Sequence, residues 1–101
     1  MSNAQVLSTR IVTQISKGDR VVQVGFVEKT DIWHRKFLND EVQVKFANSA
    51  EGYIDTFKSD TKAVALQETP HKSQSDNRTH FTAVELDGTG KVTAKRHFIV
   101  D

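Results

Sequence analysis

The chain contains no cysteine, which removes disulfide frameworks, thiolate metal centres and cysteine nucleophiles at once. Proline occurs once, at Pro70, and the five glycines (18, 25, 52, 88 and 90) are scattered. No glycine-rich loop is therefore present to cradle a phosphate. No apolar run approaches the roughly 20 residues of a membrane-spanning helix, and the amino terminus lacks the basic-then-apolar pattern of a secretory signal. Neither sign of charge dominates: 14 Lys plus Arg stand against 13 Asp plus Glu, a net charge of +1. That balance argues against bulk attraction to nucleic acid and gives little repulsion against self-association. His-x-x-x-His pairs, nucleophile elbows and paired-carboxylate motifs are also missing.

What is present is period-two alternation. With 101 residues there is room for one domain. Residues 1–5, which include Ser2-Asn3-Ala4, read as a disordered leader or cloning remnant, and residues 6–101 as a single β-rich domain. The last third is the clearest segment. His80 to Leu86 and Lys91 to Val100 are β-favouring runs joined by Asp87-Gly88-Thr89-Gly90, the composition of a tight antiparallel reversal. Leu7, Thr9, Ile11, Thr13 and Ile15 alternate with polar or smaller residues and predict a strand. Lys17-Gly18-Asp19 makes a turn, and Arg20 to Lys29 a second strand with Val22, Val24 and Phe26 on one side. Gly25 inside that run suggests a bulge, a bend or close approach of another backbone.

Asp31 to Asp40 breaks the alternation as a short helical turn or structured loop. Val42, Val44 and Phe46 then alternate with Glu41, Gln43 and Lys45 and predict a third strand. Residues 48–60 fit a helix or a strand, and the strand is preferred because Gly52 weakens a helix by about 1 kcal/mol against alanine. Thr61 to Gln67 follows as a further strand. Glu68 to Arg78 is the longest polar stretch and reads as an exposed loop. The expected fold is mainly β (with α+β as the variant): a single antiparallel sheet or small barrel of about six or seven strands with at most two short helices.

Three groups of side chains carry chemical interest. If Leu86 pairs with Lys91, His80 falls opposite His97, with Cβ atoms about 4.5–5.5 Å apart. The expected reading is two exposed histidines on a solvated strand face with no metal; the alternative, since two such imidazoles suit a divalent metal, is a metal site with His71 as a third ligand. In the same register Phe81, Ala83, Val92, Ala94, Phe98 and Val100 share an apolar face with Glu85 and Arg96. Charges among apolar neighbours need pairing. The pair either holds a polar ligand, or makes Glu85 a base of raised pKa, or is structural with the Arg96 stem reaching water. Trp33, His34, Arg35, Lys36 and Phe37 form the one dense aromatic–basic segment. It suits a protein interface or base stacking, or it closes one end of the core.

The closing run Gly90 to Asp101 resembles the last hairpin of the cone-shaped NTF2-like or SnoaL-like α+β domains. Those domains begin with long helices that nothing before Val6 supplies, and the resemblance implies no site. The function is not legible from these residues. The leading expectation is a small cytoplasmic, non-catalytic binding module for a protein or small-molecule ligand. It requires no cofactor, does not associate with membranes, and forms a homodimer because a short, nearly neutral chain has sheet edges to cover. The alternatives are a cavity enzyme of lyase or isomerase type with Glu85 or a histidine as base, and a single-stranded nucleic-acid binder working through Trp33 to Phe37.

Overall fold

A computed structural model describes residues 6–28, 40–72 and 75–100. Six strands form one curled sheet: β1 (Thr9–Lys17), β2 (Arg20–Val27), β3 (Ala63–Leu66), β4 (His71–Lys72), β5 (Thr79–Leu86) and β6 (Val92–Val100). One helix, α1 (Asp40–Gly52), and a 3-10 turn (Ile54–Thr56) complete the described residues. The β-rich single sheet expected from the alternation is what forms. β3 and β4 both pair with β5, β6 lies on the other side of β5, and among the described strands β1 pairs with β2 alone.

One pairing departs from the all-antiparallel expectation. β2 runs parallel to β3, with Gln23 beside Ala63 and Phe26 beside Leu66. The cause is the helix. The segment expected to give a third strand at 41–46 and another across 48–60 is instead α1 followed by the 3-10 turn. With α1 placed between them, β2 and β3 are joined by a crossover connection, and crossover connections leave strands parallel. The residues favour helix once three turns are read together. Val42, Phe46 and Ala50 lie four apart and face the core, while Val44 is 57% exposed. Asp40 and Glu41 occupy the first turn, where the helix dipole favours negative charge. Glu41 also pairs with Lys45 one turn on, at 3.4 Å.

α1 packs against β1, β2 and β6. Beneath it lies the larger core, built from Ile15, Val22, Val24, Phe26, Val64, Leu66, Phe81 and Phe98 with Phe46, Ala50, Ile54 and Phe57. Phe46 sits at its centre, 5.8 Å from the rings of both Phe81 and Phe98. On the opposite face Val27, Ala63, Ala65, Val84 and Leu86 form a smaller cluster, covered by Leu7 and Val92. Val92 therefore departs from the face it was expected to share with Phe98. The sheet curls far enough for its first and last strands to approach at one corner: Val6 bridges Lys91, and the Leu7 amide donates to the Gly90 carbonyl at 3.0 Å.

Two local features set the curl. β1 bulges between Ile11 and Thr13, so these residues no longer share the face that simple alternation assigns them, and Ile11 is exposed. Opposite the bulge is Gly25. A Cβ built there lies 2.8 Å from Ile11 Cα and closer still to the Arg10 carbonyl oxygen, so the missing side chain is what lets β1 press on β2. The β1–β2 reversal is the two-residue loop Gly18-Asp19, with Gly18 at φ 60°, a geometry glycine adopts without steric cost.

Glu68 to Arg78 is not wholly loop. His71 and Lys72 form β4 against His80 and Thr79. The α1 helix has 13 residues, and no described helix is long and apolar enough to cross a membrane.

Candidate functional site

The terminal hairpin turns at Asp87-Gly88-Thr89-Gly90 as its composition predicts. Asp87 Oδ1 accepts from the Thr89 amide at 2.8 Å, the Thr89 hydroxyl at 2.6 Å and the Lys91 amide at 3.1 Å, and Gly90 takes φ 85°. Those donors, the Thr89 hydroxyl foremost, hold the Asp87 carboxyl below its usual range. The register differs from the Leu86–Lys91 pairing expected. Leu86 faces Val92, and beyond an irregularity at Glu85/Leu86 the pairs run Glu85–Ala94, Ala83–Arg96, Phe81–Phe98 and Thr79–Val100. His97 consequently stands opposite Thr82, and His80 opposite Ile99. The shift over most of the hairpin is two residues, an even number, so side chains change partners without changing faces.

Glu85 and Arg96 accordingly still meet on the apolar face. The Glu85 side chain is 0% exposed. Its Oε1 accepts from the Thr61 hydroxyl at 2.7 Å and the Lys58 amide at 2.9 Å, and its Oε2 accepts from Arg96 Nε. Arg96 also donates to the Thr56 carbonyl and lies 5.2 Å above the Phe57 ring. Arg20 completes the clasp by donating to the Phe57 carbonyl at 3.1 Å and to the Lys58 carbonyl. Burial raises the Glu85 pKa, but the hydrogen bonds from Thr61, Lys58 and Arg96 outweigh it and leave it lowered. This reverses the raised pKa expected of a base. The pair fastens the 56–61 segment to β5 and β6.

Three of the four histidines gather on the other face, across β4, β5 and β6. The His71 and His80 rings stack at 5.4 Å with 21° between planes. His80 Nδ1 is 3.0 Å from His97 Nε2, and His80 Nε2 is 3.3 Å from Asp76 Oδ1. Asp76 was not foreseen. The signal was its place in the Asp76-Asn77-Arg78 turn, four residues before His80. Arg78 binds it through its amide and guanidinium, each at 3.0 Å. The Arg78 amide foremost, then its side chain and His80, bring the Asp76 pKa down to about 2. Among the described residues no group of three or more histidine or carboxylate side chains could hold a metal ion.

β6 offers a second kind of site. Lys62 donates its amide to the Leu86 carbonyl and Gln67 donates to that of Thr82, so the even-numbered residues of β5 turn their backbone toward β3. The odd-numbered residues therefore turn toward β6. Through the register, Ala94, Arg96 and Phe98 bond to β5 while Lys95, His97 and Ile99 direct their N–H and C=O groups outward. Among the described residues β6 has no strand neighbour on that side beyond the Val6–Lys91 bridge. A shallow cleft of about 450 Å³ lies at the Ile99–Val100 end of the strand, lined there by those two residues and otherwise by Lys45, Ser49, Gly52 and Tyr53 among others. Tyr53 is 44% exposed there and packs 5.3 Å from Phe98.

Trp33, His34, Arg35, Lys36 and Phe37 lie outside the described residues, as do residues 1–5. No family model, curated protein or solved structure matches the chain, so the functional reading rests on this geometry.

Proposed function

We infer that the protein is a non-catalytic binding module that takes up an extended segment of a protein partner as a further strand along β6. The observation that supports this reading is the outward row of Lys95, His97 and Ile99 main-chain groups, with the Tyr53 cleft at its Ile99 end. Strand addition draws affinity from such main-chain groups and specificity from a flanking pocket that accepts alternate side chains. The same edge already holds an extended segment at its start, where Val6 bridges Lys91.

Charge narrows the partner. From Lys91 to Val100 the chain carries Lys91, Lys95, Arg96 and His97 and no acidic residue, and Lys45 lines the cleft. An incoming strand that alternates acidic and apolar residues matches this edge.

A synthetic peptide of alternating Glu and Val/Phe tests the reading by NMR titration. Amide signals of Lys95, His97, Ile99 and Tyr53 should shift, and affinity should fall as salt rises. Lys95→Pro removes an outward donor without removing a bond to β5, and should abolish binding while the circular dichroism spectrum is kept. No response at millimolar peptide, or undiminished binding by a folded Lys95→Pro variant, contradicts the proposal.

Homodimerisation is a second reading, supported by the exposed aliphatic side chains Ile11, Val12 and Val21 on the β1–β2 hairpin. A second copy would dock there, away from β6. Light scattering at micromolar concentration should give twice the chain mass of 11.4 kDa, and a monomeric mass overturns it.

A further inference from the structure

We propose that His97, wired through His80 to Asp76, couples strand uptake along β6 to the binding of a single proton, so that an acidic partner is held more tightly as pH falls. The inference rests on the strand-addition reading above and adds its regulation. The wiring follows from which atoms can donate. Asp76 Oδ1 lies 3.3 Å from His80 Nε2, and its carboxyl, brought down to about 2, is ionised and can only accept. His80 Nε2 therefore carries a hydrogen. A neutral imidazole has one N–H and one bare nitrogen, so His80 Nδ1 is bare and accepts from His97 Nε2, 3.0 Å away. By the same rule His97 Nδ1 is bare in turn. It is the open end of the row, on an exposed residue.

A proton arriving at His97 Nδ1 breaks none of these bonds, since Nε2 still donates to His80 and His80 to Asp76. A second proton, on His80 Nδ1, sets two donors face to face and must break the ring-to-ring bond. The pair thus accepts one proton and resists two. Imidazole is the side chain whose ordinary titration falls between about pH 5 and 8. His97 also lies in the outward row of β6 and shares the open face with Lys95. A glutamate set across from it by an incoming strand meets a neutral ring at high pH and a cationic N–H donor at low pH, which makes a charge-assisted bond.

The surroundings leave that bond to the partner. From β4, His71 stacks on His80 at 5.4 Å, while Lys72, opposite Thr79, alternates to the other face. From the turn before β5 come Asp76 and Arg78, paired at 3.0 Å. Glu68 follows the end of β3, its amide near the Thr82 carbonyl. Among the described residues Asp76 is the one carboxylate bonded to the histidine pair, and it sits at the far end from His97. A bound glutamate raises the proton affinity of His97, so by linkage affinity is lowest above the histidine range and grows as pH falls through it. Glutamate itself stays ionised down to about pH 4.3.

Binding of the alternating Glu and Val/Phe peptide to the full chain is measured by titration calorimetry at constant ionic strength, from about pH 8 to about pH 5.5. Affinity should rise about two- to fivefold, the range of an exposed charge pair. Runs in buffers of different ionisation enthalpy should show uptake of no more than one proton. His97→Gln should keep the parent's high-pH affinity at every pH. Asp76→Asn should move the rise to lower pH, because an amide no longer offsets the imidazolium charge. Circular dichroism confirms that each variant is folded. In the free protein near pH 8, ¹⁵N spectra of the imidazoles should show His97 protonated on Nε2 and bare on Nδ1, and the reverse tautomer overturns the wiring. Equal affinity at both ends of the pH range, or a full rise in His97→Gln, overturns the coupling alone. No binding at any pH refutes strand addition, and the coupling falls with it.

Discussion

Replacing Glu85 by alanine strips three buried or half-buried donors of their acceptor together: the Lys58 amide, the Thr61 hydroxyl and the Arg96 guanidinium. Removing one partner of a buried ion pair generally costs about 3–5 kcal/mol. The Arg96 side chain is 26% exposed and recovers some hydration, which places the expected loss near the lower end, about 3 kcal/mol. A domain of this length has a total of about 5–15 kcal/mol, so a fifth to more than half of the stability is at stake. Urea unfolding should show a midpoint lowered by about 1–3 M, given slopes of roughly 1–3 kcal/mol/M.

Glu85→Gln keeps the shape and one acceptor, and should lose less, about 1–3 kcal/mol. The comparison also carries a pH signature. The native carboxyl titrates below its ordinary value, so its contribution is complete above the unfolded pKa and disappears as pH falls through the lower native one. The gap between parent and Glu85→Gln should therefore be widest near neutrality and narrow in acid below the usual carboxylate range. A Glu85→Ala midpoint within error of the parent, or a gap that does not change with pH, refutes the clasp as drawn.

Gly25→Ala should destabilise by about 2 kcal/mol or more, because the new methyl strikes the β1 backbone and not a movable side chain. Gly52→Ala meets nothing within 4 Å and should leave the urea midpoint level or raised. Asp87→Ala removes three hydrogen bonds at the hairpin turn. It should cost about 1–2 kcal/mol and speed amide exchange at Thr89 and Lys91. Val44→Lys places charge on the solvent side of α1 and should change stability by under about 0.5 kcal/mol. The same change at Phe46, 2% exposed, should abolish cooperative unfolding.

The terminal hairpin and the Glu85–Arg96 meeting were legible because alternation survives an even register shift: beyond the irregularity at Glu85/Leu86 the pairs moved by two and the faces held, while Val92 next to the turn changed face. The β1–β2 hairpin was legible for the same reason, except at Val12, where the bulge flips the pattern and sequence periodicity carries no warning. α1 was misread as strand because Val42 and Phe46 satisfy period two and a four-residue repeat equally. Ala50 and the acidic first turn decide between the two, and β-branched Val42 and Val44 pull the wrong way. The His80–His97 meeting was anticipated from a direct pairing that does not occur. The rings reach each other diagonally, two residues apart along the ladder. β4 left no signal, since two residues pair there only because β5 extends past the end of β3. That β6 lies outermost among the described strands was also illegible, because strand order decides this and α1, the crossover that sets the order, satisfies the strand pattern as well.

The claim that β6 presents a free edge is tested most directly by amide hydrogen exchange in the unliganded protein, residue by residue along the strand. Slow exchange at Ala94, Arg96 and Phe98 alternating with fast exchange at Lys95, His97 and Ile99 is the predicted pattern. Uniform protection from Ala94 to Ile99 would show that the edge is already paired, and uniform lability that β6 is not a strand. Either result contradicts the account.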